Sequence, residues 1–268
     1  MKLIGVGDNV LDHYTDQGLM YPGGNAVNVA VYAKKMGLET AYLGSVGKDA
    51  PGKWLVDALS KEGVDVSYVK ELEGKTNICH VALVEGDRTF VGSDRGVSDE
   101  LYLTEEDFAF LSTFDLVHSS IYSRLENQLE ELSKAAARLT FDFSNDSDAP
   151  YRKDVLPWVT AAFFSGSDMS EGEIEELFLE CREAGVELCL VTRGSQGAIL
   201  EYKGIRYYQG ITPIEVVDTL GAGDGFIAAL LVALYAHRLD PQTSMKKASE
   251  FAAKVCTDYG AFGQAMSY

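Results

Sequence analysis

The stretch Asp218-Thr219-Leu220-Gly221-Ala222-Gly223-Asp224 joins two segments with different patterns. Residues 211–217 before it are β-prone and end in a Val-Val pair. After it, apolar residues recur with the i, i+3, i+4, i+7, i+8 spacing of a buried helix, at Phe226, Ala229, Leu230, Ala233 and Leu234. The pattern therefore predicts a β-prone segment, a tight glycine turn and a buried helix.

The glycine turn has the chemistry of an anion site. At a helix N-terminus several backbone N–H groups have no partner within the helix, and the helix dipole favours negative charge there. Gly221, Ala222 and Gly223 are the candidates for such an anion hole. Asp224 would repel a ground-state phosphate, but it can take a proton from a hydroxyl that attacks the phosphate. The turn therefore predicts phosphoryl transfer, with Asp224 as the general base.

The composition is typical of a soluble globular protein, with 46% hydrophobic and 24% charged residues in 268. A formal net charge of −18 argues against a nucleic-acid backbone as partner, because such a backbone needs clustered Lys and Arg. No apolar run approaches the roughly 18 residues of a membrane span. The four cysteines include no C-x-x-C pair, which favours free thiols in a reducing cytosol. A cytoplasmic enzyme that acts on a small molecule is expected.

Strand and helix patterns alternate along most of the chain. Strand patterns cover residues 2–6, 40–46, 116–119, 140–143, 161–165 and 187–192. Helical patterns cover residues 25–36, 52–61, 105–111, 125–138, 171–184, 224–237 and 243–259. Such alternation predicts βαβ units and a largely parallel sheet that is covered by helices on both faces. Since no linker rich in Pro, Gly or Ser divides the chain, residues 1–268 are expected to form a single domain.

Two regions break this alternation. Residues 11–21 are polar and have no helical period, and residues 77–91 contain two strand patterns, at 78–84 and 89–91. The residues between those patterns, 85–88, read Glu-Gly-Asp-Arg and fit a hairpin turn. Together the two regions are expected to form a small β layer at one edge of the main sheet.

A second glycine cluster lies near the start of the chain. Gly23 and Gly24 precede a helical pattern, and paired glycines allow the backbone to approach a ligand closely. Asn25 and Asn28 are three residues apart, so their amides share one side of the helix and can bind sugar hydroxyls. Asp12 follows the first strand, where α/β sheets collect ligands, and can bind two adjacent hydroxyls. A tight turn with a helix cap is the purely structural alternative for the cluster.

Two further glycine segments give weaker signals. Residues 191–198 join two strand patterns through a glycine turn, across which the ribose or phosphates of a nucleotide could lie, although many hairpins look similar. Gly74-Lys75-Thr76 resembles the end of a P-loop, but position 69 is Val and a strand pattern follows. A P-loop is therefore excluded.

The segment 23–25 and the stretch 218–224 together resemble the two signatures of the PfkB, or ribokinase-like, carbohydrate kinases. Their order, their spacing and the chain length also match, so the resemblance covers essentially the whole chain. It implies an α/β fold of three layers, α/β/α, with a mostly parallel central sheet and a small β lid at 11–21 and 77–91. It also implies an ATP-dependent phosphotransferase that uses Mg²⁺ and acts on a primary hydroxyl of a sugar.

Within this family the chain is most similar to the kinases that act on fructoselysine, which implies a fructosamine as the substrate. The stretches that carry this likeness include 7–9, 23–32, 63–67, 115–118, 141–144 and 259–263. Fructose, ribose or a nucleoside is the alternative substrate. A non-catalytic sugar-binding protein on the same scaffold is the alternative from another class. Because the family's lid often pairs subunits, a homodimer through the lid is also implied.

The resemblance assigns roles to individual residues. Besides the base and the anion hole, it places four residues against the sugar, Asp12, Gly23, Gly24 and Asn28. Arg95 is a candidate for contact with the charged amino-acid arm of a fructosamine. The implied nucleotide-binding residues are Thr192, Gly194, Gly197 and Thr219.

The implied metal sites involve two aspartates. Asp218 and the chain near Gly260 would surround a monovalent cation such as K⁺. The family usually carries Asn-x-x-Glu after a central strand to organise Mg²⁺, and this chain has Ser165-Gly166-Ser167-Asp168 there. Asp168 can still hold a water molecule on the metal, whereas Ser165 is a weaker substitute for the amide.

Overall fold

The computed structural model describes residues 1–84, 87–145 and 147–268. Its strands are β1 (Lys2–Val6), β2 (Val10–Tyr14), β3 (Leu19–Gly23), β4 (Glu39–Leu43), β5 (Ser45–Gly47), β6 (Lys70–Leu72), β7 (Ile78–Val84), β8 (Asp87–Asp94), β9 (Leu116–Ser120), β10 (Leu139–Asp142), β11 (Ala161–Ser165), β12 (Leu188–Thr192), β13 (Ala198–Tyr202), β14 (Ile205–Gln209) and β15 (Met266–Ser267). Its α-helices are α1 (Asn25–Lys35), α2 (Ala50–Lys61), α3 (Glu105–Leu111), α4 (Leu129–Ala135), α5 (Ala149–Val155), α6 (Glu171–Glu183), α7 (Ala222–Leu231) and α8 (Pro241–Val255).

Eight strands form the central sheet, in the order β14-β13-β12-β11-β10-β9-β1-β4. All neighbours from β12 to β4 are parallel, and β13 and β14 add an antiparallel edge. Parallel neighbours need long crossover connections, which the helices provide. The predicted mostly parallel sheet is therefore confirmed.

Side chains along each strand alternate between the two faces of this sheet. On β11, Ala161 and Phe163 belong to one buried cluster, and Ala162 and Phe164 belong to the other. Helices α1, α2, α7 and α8 contribute to the first cluster, and helices α3 to α6 contribute to the second. The result is the predicted three-layer α/β/α arrangement. Among the described residues, no helix combines the length and the apolar character needed to cross a bilayer.

A second sheet has five strands, in the order β15-β3-β2-β7-β8. Residues 11–21, predicted to belong to a small β layer, form most of β2 and β3, and residues 78–84 form β7 as predicted. Strand β8 already begins at Asp87, inside the predicted turn 85–88. Glu85 and Gly86 of that turn lie outside the described residues.

The largest differences between prediction and structure concern three segments. Residues 211–217, all of them described, form no strand and are mostly exposed, because Pro213 lacks the N–H that a central ladder position requires. The predicted strand 40–46 is divided into β4 and β5. The predicted helix 125–138 is shorter, because a 3₁₀ turn at Glu126–Gln128 precedes α4.

Candidate active site

A cleft of about 460 Å³ opens where the parallel strands end. In α/β sheets ligands bind at this edge, outside the carboxyl ends of the strands. The cleft also receives the first turns of α1 and α7, so the two glycine clusters of the sequence meet there. Five strands each contribute a lining residue at or just beyond their ends, namely Asn9 for β1, Tyr122 for β9, Ser144 for β10, Ser165 for β11 and Thr192 for β12.

The start of α1 is held by Asp8, in the loop after β1. The Asp8 carboxylate accepts hydrogen bonds from the backbone N–H of Asn25 at 2.6 Å and of Ala26 at 3.3 Å. It also accepts from the hydroxyl groups of Ser120 at 2.8 Å and Ser123 at 3.0 Å. Because these bonds engage both of its oxygens, Asp8 acts as the cap that positions α1 against the sheet.

Gly23 and Gly24, the two glycines predicted to bind the sugar, lie at close backbone approaches. Gly24 has a φ of +109°, and a Cβ there would lie 2.7 Å from the Cα of Asn9. A Cβ on Gly23 would lie 2.8 Å from Oδ2 of Asp12. Glycine permits both approaches. Asp12 on β2, Gly24 and Asn28 on α1 line the cleft, whereas Gly23 is not among the residues that line it. Sugar binding by these four residues stays a prediction.

Asp224 lies in the first turn of α7, and its carboxylate is held by α1. Nδ2 of Asn25 donates to Oδ1 of Asp224 at 2.7 Å, and Nδ2 of Asn28 donates to Oδ2 at 2.7 Å. Burial raises the pKa of Asp224 to about 6; these two hydrogen bonds oppose the increase and the charge of Asp8 adds to it. A carboxylate at the cleft with a pKa near neutrality is suited to accept a proton.

The turn before Asp224 has the geometry of an uncapped helix N-terminus. Gly221 is the N-cap residue with a φ of +75°, and a Cβ there would lie 2.6 Å from the hydroxyl oxygen of Tyr32 and 2.8 Å from the Cβ of Ala261. Gly223 lines the cleft, and a Cβ there would meet none of the described atoms within 4 Å. A glycine cap has no side chain to offer the first N–H groups, so this end of α7 suits an anion.

Asp142 and His118 join the site, although no sequence pattern assigned them to it. Nδ2 of Asn25 donates to Oδ2 of Asp142 at 2.8 Å. Oδ1 of Asn25 lies 2.8 Å from Nε2 of His118, whose Nδ1 lies 2.8 Å from Oγ1 of Thr140. Burial and then the charge of Asp224 raise the pKa of Asp142 to about 8, and burial lowers the pKa of His118 to about 3. A buried polar network therefore holds Asn25.

Position along the strands is the signal that could have identified these two residues. Asp142 is the last residue of the otherwise apolar β10, at the sheet edge where the cleft opens. The predicted strand 140–143 placed Asp142 inside the strand and so hid this position. His118 lies within the buried strand β9, and a polar side chain there needs a hydrogen-bond partner.

Arg95, the predicted contact for a charged substrate arm, lines the cleft after β8. Its Nε donates to the two oxygens of Asp99 at 2.7 Å and 2.9 Å, and its Nη2 donates to the backbone oxygen of Tyr122 at 2.9 Å. Arg124 pairs with the same carboxylate at 3.2 Å. Two guanidinium groups around one carboxylate leave a positive charge at this wall of the cleft.

The predicted nucleotide residues lie at the other end of the cleft or next to it. Thr192 lines the cleft, and Gly194 and Gly197, with φ of +53° and +87°, shape the turn between β12 and β13. Thr219 is exposed, and its carbonyl oxygen accepts the N–H of Ala222 at 3.2 Å. The structure thus brings only Thr192 of this set into the cleft lining.

The two predicted metal residues lie outside the cleft lining. Asp168 is exposed in the turn after β11, whose last residue, Ser165, lines the cleft. Asp218 is buried, and its Oδ2 accepts hydrogen bonds from the hydroxyl of Tyr14 at 2.6 Å and the N–H of Gly260 at 3.0 Å. Within the described ranges, no group of three or more His, Cys, Asp or Glu side chains could hold a metal ion.

Comparison with known proteins identifies the class of enzyme. The family described as pfkB family carbohydrate kinase matches residues 1–265. The chain therefore belongs to the pfkB family of carbohydrate kinases, phosphotransferases that act on a hydroxyl group of a sugar.

Individual relatives show which members of the family the chain is similar to. Fructosamine kinase FrlD of Bacillus subtilis (strain 168) is 46% identical over 272 residues, which cover 100% of this chain and 95% of that protein. Fructoselysine 6-kinase of Escherichia coli (strain K12) is 35% identical over 259 residues, which cover 96% of this chain and 98% of that protein.

Solved structures confirm the ribokinase-like fold. Ribokinase of Arabidopsis thaliana, complexed with ribose and ATP, has a TM-score of 0.84 at 22% identity, covering 97% of this chain and 94% of that chain. A double mutant of fructokinase from Vibrio cholerae O395, with fructose, ADP and potassium ion bound, has a TM-score of 0.79 at 21% identity, covering 98% of this chain and 94% of that chain.

Proposed function

We propose that the protein is an ATP-dependent fructosamine kinase that transfers the γ-phosphoryl group to a primary hydroxyl of fructoselysine or a related fructosamine. One observation carries the reaction type. The Asp224 carboxylate lies at the cleft, held by Asn25 and Asn28, in the first turn of a helix whose cap is glycine. A base beside an anion site is what the attack of a hydroxyl on a phosphate requires.

In the proposed reaction Asp224 takes the proton of the sugar hydroxyl as the new oxygen–phosphorus bond forms. The bond from the γ-phosphorus to the β–γ bridging oxygen breaks, and ADP leaves with that oxygen. Backbone N–H groups of the turn 221–223 and the dipole of α7 stabilise the charge on the transferred group. For this, the N–H of Ala222 exchanges or shares its bond to the carbonyl oxygen of Thr219. Asp12, Gly23, Gly24 and Asn28 bind the sugar in this proposal, and Thr192, Gly194, Gly197 and Thr219 bind the nucleotide.

The residues near the cleft fit a Mg²⁺ ion that is carried mainly by the phosphates of ATP. Mg²⁺ in such sites keeps several waters and takes one or two carboxylates. Asp168, in the turn that follows the cleft residue Ser165, is the carboxylate proposed for this contact. When bound, the ion neutralises charge on the phosphates. A monovalent cation beside Asp218 stays a prediction, and such an ion would compete with the hydroxyl of Tyr14 for Oδ2.

The charges at the cleft support a fructosamine as the sugar. Fructoselysine has a secondary amine, which is cationic when protonated, and an amino-acid arm with an ammonium and a carboxylate. The cleft lining offers both signs of charge, with the carboxyl groups of Asp12 and Asp224 and the guanidinium of Arg95. Relatives with the names fructosamine kinase and fructoselysine 6-kinase support the same substrate.

We further propose that the five-stranded sheet acts as a lid. Asp12 on β2 and Cys79 on β7 line the cleft, so this sheet contributes one of its walls. Closure of a lid excludes water, which otherwise competes with the sugar as phosphoryl acceptor. The pairing of two copies through this sheet and a cytoplasmic location stay predictions.

A substrate panel tests the proposed function. ADP release is measured with fructoselysine, fructose, ribose and adenosine, and with ATP alone as the blank. We expect kcat/KM for fructoselysine to exceed that for fructose by about 10²-fold, the worth of two charge-assisted hydrogen bonds of about 1.5 kcal/mol each. Equal values for the two sugars would argue for a fructokinase. Sugar and ATP binding by calorimetry, without any ADP release, would argue for a non-catalytic protein.

The variant Arg95→Gln tests how the amino-acid arm is recognised. We expect kcat/KM for fructoselysine to fall about tenfold or more, because a charge-assisted hydrogen bond contributes about 1.5–3 kcal/mol, while kcat/KM for fructose stays unchanged. Arg238→Gln, at an exposed position outside the cleft, is the matched control and should alter neither value. An equal decrease for both sugars in Arg95→Gln would assign Arg95 to the structure of the wall and not to the arm.

A further inference from the structure

The side-chain amide of Asn25 bridges two carboxyl groups. Its Nδ2 donates at 2.7 Å to Oδ1 of Asp224 and at 2.8 Å to Oδ2 of Asp142. An amide nitrogen has two protons, so these two bonds use both of them. Asp142 lines the cleft together with Asp224 and Asn25. The two carboxyl groups are therefore neighbours on the wall where the proposed transfer takes place.

His118 completes the hydrogen bonding of this amide. The side chain is fully buried, and burial lowers its pKa to about 3, so the ring is neutral at pH 7. The amide oxygen of Asn25 can only accept, so Nε2 of His118 carries the proton and donates to it. Nδ1 then accepts from the hydroxyl of Thr140. Rotation of the amide by 180° would set its oxygen against the acceptor oxygens of the two carboxyl groups, so the Asn25 nitrogen stays directed towards them.

Two carboxylates that share one amide cannot both be ionised at low cost. Like charges in a site of low dielectric repel each other, and one of the pair retains a proton to a higher pH. Asp8 adds a third negative charge, which raises the pKa of both groups. Arg95 is engaged by Asp99. The other titratable groups around the pair are Asp12 on β2, Cys79 on β7, His118 on β9, Tyr122 after β9 and Tyr32 on α1.

We propose that Asp142 is a further residue of the transfer site, the carboxyl group that keeps the proton of the Asp142–Asp224 pair, so that Asp224 is the ionised partner available as base. This inference rests on the proposed role of Asp224. The geometry favours this order, because Asp224 lies in the first turn of α7, where the helix dipole stabilises a negative charge, and accepts from two side-chain amides. Asp142, at the end of a strand, accepts from one side-chain amide and from the N–H of Ser144. The order of the two pKa values agrees with this inference, about 8 for Asp142 and about 6 for Asp224. A neutral Asp142 can donate a hydrogen bond to a phosphate oxygen at the cleft, whereas an ionised one would repel it.

The proposal predicts a bell-shaped pH dependence. Activity falls below about pH 6, where Asp224 becomes protonated, and above about pH 8, where Asp142 loses its proton. In the variant Asp142→Asn, the side-chain amide has the shape of a neutral carboxylic acid but does not ionise in this pH range. We therefore expect it to retain the acid limb and to lose the basic limb. At one pH unit above the upper pKa, the ratio of variant to wild-type kcat/KM should be about tenfold higher than at pH 7.

Comparison of the pH profiles of the wild type and Asp142→Asn cancels the effect of ionisations that both enzymes share, including the ionisation of the substrate amine. Asp57→Asn, an exposed position on α2, serves as the matched control and should keep both limbs. If the basic limb of Asp142→Asn coincides with that of the wild type, Asp142 is not the group that holds the proton.

A second measurement uses the wild-type protein and needs no variant to fold. The ¹³C resonances of aspartate side-chain carboxyl carbons are followed from pH 4 to pH 10 in the protein without substrate. We expect one aspartate to titrate above pH 7. If every aspartate completes its titration below pH 7, the proposal is wrong. Failure to phosphorylate any fructosamine would not change this titration, so the two proposals can fail separately.

Discussion

Asp224→Asn should lower kcat with fructoselysine and ATP by about 10²–10⁴-fold, the usual contribution of a general base. Asparagine keeps the size of the side chain but cannot take the proton of the hydroxyl. In the wild type, the NH₂ groups of Asn25 and Asn28 each donate to the carboxylate. In the variant, the new NH₂ group faces one of these two donors. One hydrogen bond is therefore lost, and we expect a decrease of about 1–3 kcal/mol in the free energy of unfolding.

The measurement combines steady-state ADP release with thermal unfolding and with calorimetric binding of ATP and sugar. Binding within a few-fold of wild type, together with the decrease in kcat, locates the loss in the chemical step. Asp57→Asn makes the same chemical change at an exposed position on α2 and should leave kcat unchanged. A kcat of Asp224→Asn close to wild type would exclude Asp224 as the base.

The features that the sequence predicted well are local. The structure of the turn 218–224 depends mainly on its own residues, because the effects of glycines at a helix start and of the helix dipole extend over only a few residues. The strands 2–6 and 161–165 match β1 and β11, since their apolar runs are short and bounded by polar residues. The glycine pair at 23–24 was also informative, because a close backbone approach restricts the position to glycine.

The part of the site that was not predicted depends on distant contacts. Asn25 meets Asp142 across 117 residues and Asp224 across 199 residues, and His118 meets Asn25 across 93 residues. Periodicity describes only neighbours along the chain, so it cannot show which side chains share a hydrogen-bond network. The raised pKa of Asp142 has the same origin, because its causes are burial and the charge of a distant carboxylate.

Buried polar residues also limited the prediction of the small sheet. Asp12 and His13 are buried within β2, and such residues obscure the alternation by which a strand is recognised. Residues 211–217 gave the opposite error, since apolar β-branched residues suggested a strand that Pro213 prevents. The composition of a segment shows only that it could be buried in a sheet. Whether it forms a strand depends on the strands that are available to pair with it.

Gly221→Ala should lower both the stability of the protein and its use of ATP. The φ of +75° costs an alanine about 1–2 kcal/mol. Its Cβ would lie 2.6 Å from the Tyr32 hydroxyl and 2.8 Å from the Ala261 side chain, and overpacking of this kind costs about 1–3 kcal/mol. We expect Tm to fall by about 5–15 °C. Because the turn must shift, kcat/KM for ATP should fall by about 10²–10³-fold, comparable to the loss of one donor of an oxyanion hole.

Alanine variants of two other glycines distinguish the loss of stability from the loss of ATP use. Gly204, in the β13–β14 hairpin, has a similar φ of +78°, and a Cβ there would have no described atom within 4 Å. Gly204→Ala should therefore cost only about 1–2 kcal/mol and leave kcat/KM for ATP unchanged. Gly223→Ala adds a methyl group to the cleft, also with no described atom within 4 Å. It should keep Tm and weaken the use of ATP. If Gly221→Ala keeps the wild-type kcat/KM for ATP despite a lower Tm, the turn serves the fold alone and does not bind the phosphate.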